Sequence, residues 1–396
     1  MLSSIRSFTK SVWASLSSYT YGLVYHFRRQ LPGFETPSFQ NLALSILSDP
    51  TAARALNLIV QTMSSVPLQV KRRTSDGYEV MQEHPVLDLL RRPHPRMNYG
   101  NIIRAYMLGM LSGGEVWIRS VSPDTGPNAD VPRRLRLYQV SEFSGFKRAG
   151  GSGRFSGLIE GYKFASGMGS ETYDLDEAHH IYKYNPSNPE RGIPLLLSGW
   201  RDLNKQQAAD SWNIGLARGG GRVSGIWRPQ GLEPGEQIPQ QRHAEVKQNL
   251  RAEEKSARQN GQSIVLSGSY DFEDNHTNPT DADLTEMQEA SGRKIAISMG
   301  VDPALVGSKG SRTLSNLEQA LKGLYMLTVL PELDDLLEEM NTWLMPKYGP
   351  DVKLTYDRDA IEALQEDMTQ KYKRYIAARG GPILTLQEAR EALGYS

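Results

Sequence analysis

The spacing of apolar positions changes along this chain from helical to alternating and back, and the changes mark out its elements. Residues 50–64 predict a helix opening on Pro50. Val66 to Arg73 predict a strand, followed by a hairpin-type turn at Asp76-Gly77. His84-Pro85 opens a short helix over Val86 to Leu90, which Pro93 and Pro95 stop. Residues 98–111 predict a second helix, broken by Gly113-Gly114, and Glu115 to Ser120 predict a strand. Residues 121–190 are rich in Gly, Pro and Asn, with strands expected at 135–140, 161–164 and 179–184. An α+β domain with antiparallel sheet over residues 40–190 follows.

The second half is mostly helical. Residues 194–217 place Leu196, Trp200 and Leu203 on one stripe and Ala208, Trp212 and Leu216 on another, up to Gly219-Gly220-Gly221. A small insert follows, with strands at Val223–Trp227, Ser263–Leu266 and Tyr270–Glu273 and a charged helix at 234–258. A long helix is expected at 282–299, with Thr280 and Asp283 as its capping pair. Residues 300–314 read as a Gly/Ser loop, and Ser315 with Glu318 reads as a capping box for the next helix. Pro331 must kink or split that helix, because it lacks an N–H and clashes with the preceding turn. A strand at Val352–Tyr356 and a last long helix at 358–379 complete the pattern. Thr385 and Glu388 cap a terminal helix.

Composition narrows the class. Lys+Arg and Asp+Glu both number 45 among 396 residues, so the chain is not a general nucleic-acid coat. Without cysteine there are no disulfides, thiolate metal sites or cysteine nucleophiles. No apolar run reaches the length of about 18 residues that spans a bilayer. Residues 1–34 lack Asp and Glu but carry Arg6, Lys10, Arg28 and Arg29, with Ile5, Val12, Leu16, Tyr19 and Leu23 near one helical stripe. An arm that docks on a partner is the preferred reading of this segment. A targeting or membrane-surface segment is its rival.

The usual enzyme signatures are missing. There is no phosphate-binding G-x-x-x-x-G-K-[ST], no H-E-x-x-H and no G-x-S-x-G. Gly151-Ser-Gly153 and Gly219-Gly-Gly221 begin dinucleotide-like runs that lack the last glycine, and read as turns. His179 and His180 are adjacent on a strand, so they point to opposite faces and do not converge on a metal. Glu332, Asp334, Asp335, Glu338 and Glu339 read as a solvated helix face, or as an acidic ring if the chain is oligomeric. The insert carries eight basic residues against five acidic ones over 218–258, a mixed surface or a contact for a charged partner. No catalytic residue, metal or cofactor is expected.

Several segments, in order, resemble the portal (head–tail connector) proteins of tailed bacteriophages. They are Val66-Pro-Leu-Gln-Val70 with the run from His84 to Pro93, Gly215 to Pro229, and Ile295 to Gly307. Ser315 to Gln319 with Leu330-Pro331, and Leu384 to Gly394, complete the series. The chain departs at Gly113-Gly114-Glu115, where the family pattern has Gly-Asn and an aromatic, and at Gln387, where it often has Asn. The resemblance implies an α+β portal fold assembled as a ring. It would comprise an N-terminal arm (1–40), a wing (41–193), two stem helices (194–217 and 281–300) and a clip (218–280). A tunnel loop (301–314), a kinked tunnel or wing helix with a strand (315–356) and a helical crown (357–396) would follow.

The resemblance further implies that Gly307, Ser308, Lys309, Gly310, Ser311 and Arg312 face double-stranded DNA without reading its sequence. Arg218, Arg222 and Arg228 become candidate clip contacts with a partner or DNA. The expected partners are further copies of the chain, twelve by resemblance, with large terminase, head–tail adaptor and major capsid protein, and no membrane. The expected place is the portal vertex of a virion or gene-transfer particle, assembled in the bacterial cytoplasm. The competing readings are a nucleic-acid-processing enzyme of the packaging machinery and a membrane-associated assembly protein.

Overall fold

The computed structural model describes residues 37–75, 77–81, 83–123, 125, 131–150, 157–166, 169–218, 226–229, 270–273, 281–307, 313–365 and a few positions from 373 to 388. The chain divides into two compact units, Met1–Trp200 with Ile295–Ser396, and Arg201–Lys294. In the first unit α1 (Phe39–Ser48), which the sequence did not announce, and α2 (Pro50–Ser65) meet at Asp49. The Asp49 carboxylate accepts from Ala52 N at 2.8 Å and so caps the second helix. A hairpin follows, β1 (Leu68–Thr74) and β2 (Gly77–Met81), turning through Gly77 at φ 139°. His84 caps α3 (Pro85–Arg91), accepting from Val86 N through Nδ1 at 3.3 Å. Then come α4 (Tyr99–Ser112), β3 (Glu115–Val121) and β4 (Arg134–Tyr138). β5 (Phe143–Arg148), β6 (Ile159–Ser166), β7 (Gly169–Asp174) and β8 (Ala178–Tyr182) complete the strand-rich half.

Two helices run into the second unit. A 3-10 turn at Leu195–Gly199 leads into α5 (Trp200–Arg218), and α6 (Asp281–Ser298) lies later in the chain. Between them β9 (Ile226–Pro229) pairs antiparallel with β10 (Tyr270–Glu273). The expected helix at 234–258 and strand at 263–266 lie outside the described residues, as does Thr280.

Back in the first unit, α7 (Leu314–Leu324) is capped by Thr313, whose Oγ1 accepts from Asn316 N at 3.3 Å, not by the expected Ser315. A π turn at Tyr325–Val329 joins α7 to α8 (Leu330–Trp343). The interruption expected at Pro331 is therefore a widened turn just ahead of the proline, not a break. Leu330 N donates to Tyr325 O across it, and the widened turn makes room for the ring of Pro331, which has no N–H to continue the ladder. The strand β11 (Val352–Tyr356) follows as expected. The long helix expected from 358 does not start there. Asp357 Oδ1 accepts from Asp359 N at 3.0 Å and Ala360 N at 3.3 Å, and this local turn competes with helix before a 3-10 turn at Glu362–Leu364.

Of three antiparallel sheets, β11-β1-β2 and β4-β3-β8 pack with α4 and α8, and β5-β6-β7 covers the other face of β3 over an aromatic cluster of its own. β3 is buried on both faces. Val116 packs on α4, which Gly109 lets approach: a Cβ there would lie 2.2 Å from Val116 Cγ1. The opposite face presents Trp117 to Phe143, Tyr162 and Phe164. Trp117 is fully buried, stacked between Phe143 at 4.3 Å and His180 at 4.5 Å. Its Nε1 has no hydrogen-bond partner among the described residues. Trp117→Ala is expected to cost about 3–5 kcal/mol. Trp117→Phe should cost well under half of that, because no hydrogen bond is lost with the indole nitrogen. Urea unfolding monitored by circular dichroism checks both.

Candidate nucleic-acid interface

The segment expected to face DNA is anchored at both ends. The end of α6 is closed by a Schellman-type cap, with Gly300 in the left-handed region at φ 73° and Val301 N donating to Ala296 O at 2.9 Å. Thr328 in the π turn donates from Oγ1 to Gly300 O at 2.5 Å, and a Cβ on Gly300 would meet that hydroxyl at 2.6 Å. Met299 and Val301 are buried beneath it. Asp302 caps a 3-10 turn at Pro303–Val306, accepting from Ala304 N at 2.8 Å. Gly307 ends that turn at φ 98°, which suits glycine. Of the six residues expected to face DNA, Gly307 is described. Ser308, Lys309, Gly310, Ser311 and Arg312 lie outside the described residues, and Thr313 resumes the fold.

The two long helices are neighbours. At their root a Cβ on Gly199 would lie 2.3 Å from Ser298 Oγ. Farther out, Gln288 Nε2 donates to Asp210 Oδ1 at 2.9 Å. Arg218 closes α5, and Arg228 stands opposite Asp271 in the β9–β10 ladder. Arg222 lies outside the described residues, so the three arginines are not shown to converge.

What fixes the root of α5 is a buried carboxylate that sequence reasoning passed over. Glu115 opens β3 with its side chain 2% exposed. It accepts from Arg191 Nε at 2.7 Å, Gly192 N at 2.9 Å and His180 Nε2 at 3.0 Å. Gly114 (φ 72°) and Gly192 make room for this, since a Cβ on Gly114 would lie 2.0 Å from Ile193 O. The Gly-Gly-Glu run that departs from the portal pattern therefore has a structural reason. Burial pushes the Glu115 carboxyl up, but the hydrogen bonds from His180, Arg191 and Gly192 outweigh it and hold it below the usual carboxylate range. Burial likewise keeps the His180 imidazole below its ordinary value, against the pull of Glu115.

The acidic face of α8 is not the freely solvated one expected. Glu332 and Asp335 flank Lys183 at 3.0 and 2.7 Å, and Glu339 meets His179 Nε2 at 2.7 Å. These contacts clamp α8 onto β8 and engage three of the carboxylates proposed for an acidic ring. His179 and His180 face opposite ways, as expected, toward Glu339 and Glu115. Among the described residues no group of three metal-ligating side chains occurs. No described helix is long and apolar enough to cross a membrane.

The phage portal protein family matches residues 50–394, and the chain belongs to it. An uncharacterized protein of Rickettsia bellii (strain RML369-C) is 25% identical over 350 residues, 86% of this chain and 85% of that one. The fold is similar to the neck of an empty gene transfer agent particle, solved with C6 symmetry, at a TM-score of 0.64 and 24% identity, covering 93% of this chain and 96% of that one. The neck of a native particle with C12 symmetry gives 0.59 at 24% identity, covering 89% and 91%. An HK97-family phage portal protein from Corynebacterium diphtheriae gives 0.57 at 13% identity, covering 82% and 98%.

Both shifted groups act in one direction with pH. Each has a folded-state pKa below its unfolded value, so the stability it contributes is present above that value and is lost as pH falls. Thermal stability is expected to drop from about pH 6.5 for His180 and further through about 4.5 for Glu115. Glu115→Gln should cost about 2–3 kcal/mol at neutral pH and flatten the loss below pH 4.5, read from melting curves between pH 8 and 4.

Proposed function

We propose that this chain forms a ring at one vertex of a capsid, through which double-stranded DNA is packaged and released. The single observation that carries this is the join of two neighbouring helices, rooted at Gly199 and Ser298, to a segment pinned at Gly307 and Thr313. A helix of about 20 residues spans about 30 Å, so two per subunit can wall a duct. Head-to-tail contacts close into a ring when the rotation allows it. The C12 symmetry of a similar neck supports twelve copies.

In this reading 41–193 is the wing, 194–217 and 281–300 the stem, 218–280 the clip and 357–396 the crown. Lys309 and Arg312 touch phosphates without reading bases. Two cations per copy keep the grip weak, because every neutralised phosphate adds salt-dependent affinity. The role is structural and not catalytic. Large terminase and the head–tail adaptor dock in turn on the clip, where Arg218, Arg222 and Arg228 are candidate contacts, and the major capsid protein meets the wing.

Negative-stain imaging of the purified protein is expected to show rings of twelve. Monomers under all conditions, even with capsid protein and DNA, would overturn the reading. Lys309→Ala with Arg312→Ala should leave ring formation unchanged while altering the DNA packaged per particle, measured by nuclease-protected DNA in an assembly reaction.

A further inference from the structure

Two arginine pairs forty residues apart meet at one edge of the first unit. Arg91-Arg92 end α3, and Arg133-Arg134 open β4. Leu135 N donates to Pro93 O at 2.8 Å, which sets the second pair beside the first. Between Pro93 and α4 the chain makes a tight turn closed by the His94↔Met97 bridge. Met97 N donates to His94 O at 3.0 Å, and Arg96 N donates to His94 Nδ1 at 3.2 Å. Pro95 and Arg96 form its tip, so Arg96 is carried on a stiff support. The base beneath is equally fixed: Tyr348 donates to Pro132 O at 2.7 Å and its ring lies 5.6 Å from His84.

Arg92, Arg96, Arg133 and Arg134 are all exposed, and no ion pair or side-chain hydrogen bond engages them among the described residues. Arg91 has one loose pair, 3.6 Å from Asp88, with both side chains more than three-quarters exposed. Asp124 and Asp130, between β3 and β4 in the sequence, lie outside the described residues. In a chain of zero formal net charge this is a local concentration, not a general basicity.

We propose that this edge is a second DNA-contacting surface, which takes phosphodiester backbone independently of residues 307–312. The proposal rests on the portal reading for its choice of polyanion. Guanidinium forks match phosphate oxygens two at a time and hold them with short, charge-assisted bonds. All four free cations are arginines, and two prolines stiffen the segment that bears Arg92 and Arg96, so little side-chain and backbone freedom remains to be lost on binding. A protein partner would want an apolar anchor at the centre of the contact. The cross-strand neighbour of Arg134 is Val121, a single aliphatic side chain 37% exposed, and among the described residues no exposed aromatic lies on the segments that bear the four arginines. Polar, positive and rigid surfaces of this kind suit nucleic acid.

The test uses the full chain and a short mixed-sequence DNA duplex, with affinity measured by fluorescence anisotropy from about 50 to 200 mM salt. The variant Arg92→Gln, Arg96→Gln, Arg133→Gln, Arg134→Gln changes exposed side chains only. It is expected to bind at least about tenfold more weakly and to lose about two to four from the salt slope, at roughly 0.9 for each phosphate contact. The matching four-lysine variant should recover the slope but not all of the affinity. Lys309→Gln with Arg312→Gln should leave this component in place. Unchanged affinity and slope in the glutamine variant would overturn the proposal. So would poly-glutamate competing as well as duplex DNA per unit charge, which would make the edge a site for an acidic protein. Ring formation, scored by imaging on the same samples, reports on the portal reading separately.

Discussion

The architecture depends on one buried carboxylate. Glu115 sits where α4 turns into β3, out of water, and an isolated charge there would be expensive. It is tolerated because Arg191, Gly192 and His180 all donate to it. The consequence is positional. Arg191 and Gly192 lie just ahead of Ile193-Pro194 and the 3-10 turn that leads into α5, so the charge that must be satisfied also helps decide where the first long helix begins. Trp117, two residues along β3, stacks on the same His180 and links this tether to the aromatic core.

A second tether works from the other side. α8 is held to β8 by Lys183 and His179, and Asn341 reaches β11 through a reciprocal pair of bonds to Leu354, 2.8 Å to its O and 2.7 Å from its N. Asn341 thus satisfies backbone groups on a strand edge that pairs with β1 alone. Both long helices and the segment between Gly307 and Thr313 are joined to a body whose parts are fixed by hydrogen bonds as well as by burial.

Much of this was legible from periodicity and punctuation. The helix from Pro50, the His84-Pro85 start, the Gly113-Gly114 stop and the Thr385–Glu388 box are local signals with local causes, and they stand in the structure. What escaped depended on partners distant in sequence. β5 and β7 contain too few apolar residues to declare themselves, and they form by pairing with β6. Glu115 looks like any strand-edge acid until Arg191 is beside it. The α8 acids alternate with leucines as a solvated face would, and only the arrival of β8 commits them. Thr313 took the cap from Ser315 because both suit the role and one residue type cannot decide between them.

The π turn at Tyr325–Val329 has a geometric effect on its neighbours. It holds one residue more than an α-helical turn would, and each residue of helix advances the azimuth by about 100°. The leucine stripe of α8 and that of α7 are therefore phased apart along what reads as a single amphipathic run. Leu324 on α7 and Leu333, Leu336 and Leu337 on α8 are all buried, while Leu314 and Leu317 at the start of α7 stay open to water at 74% and 45%. One surplus residue offsets the register of the two stripes in the sequence, and both still reach the body, at Leu324 before the turn and at Leu330 after it.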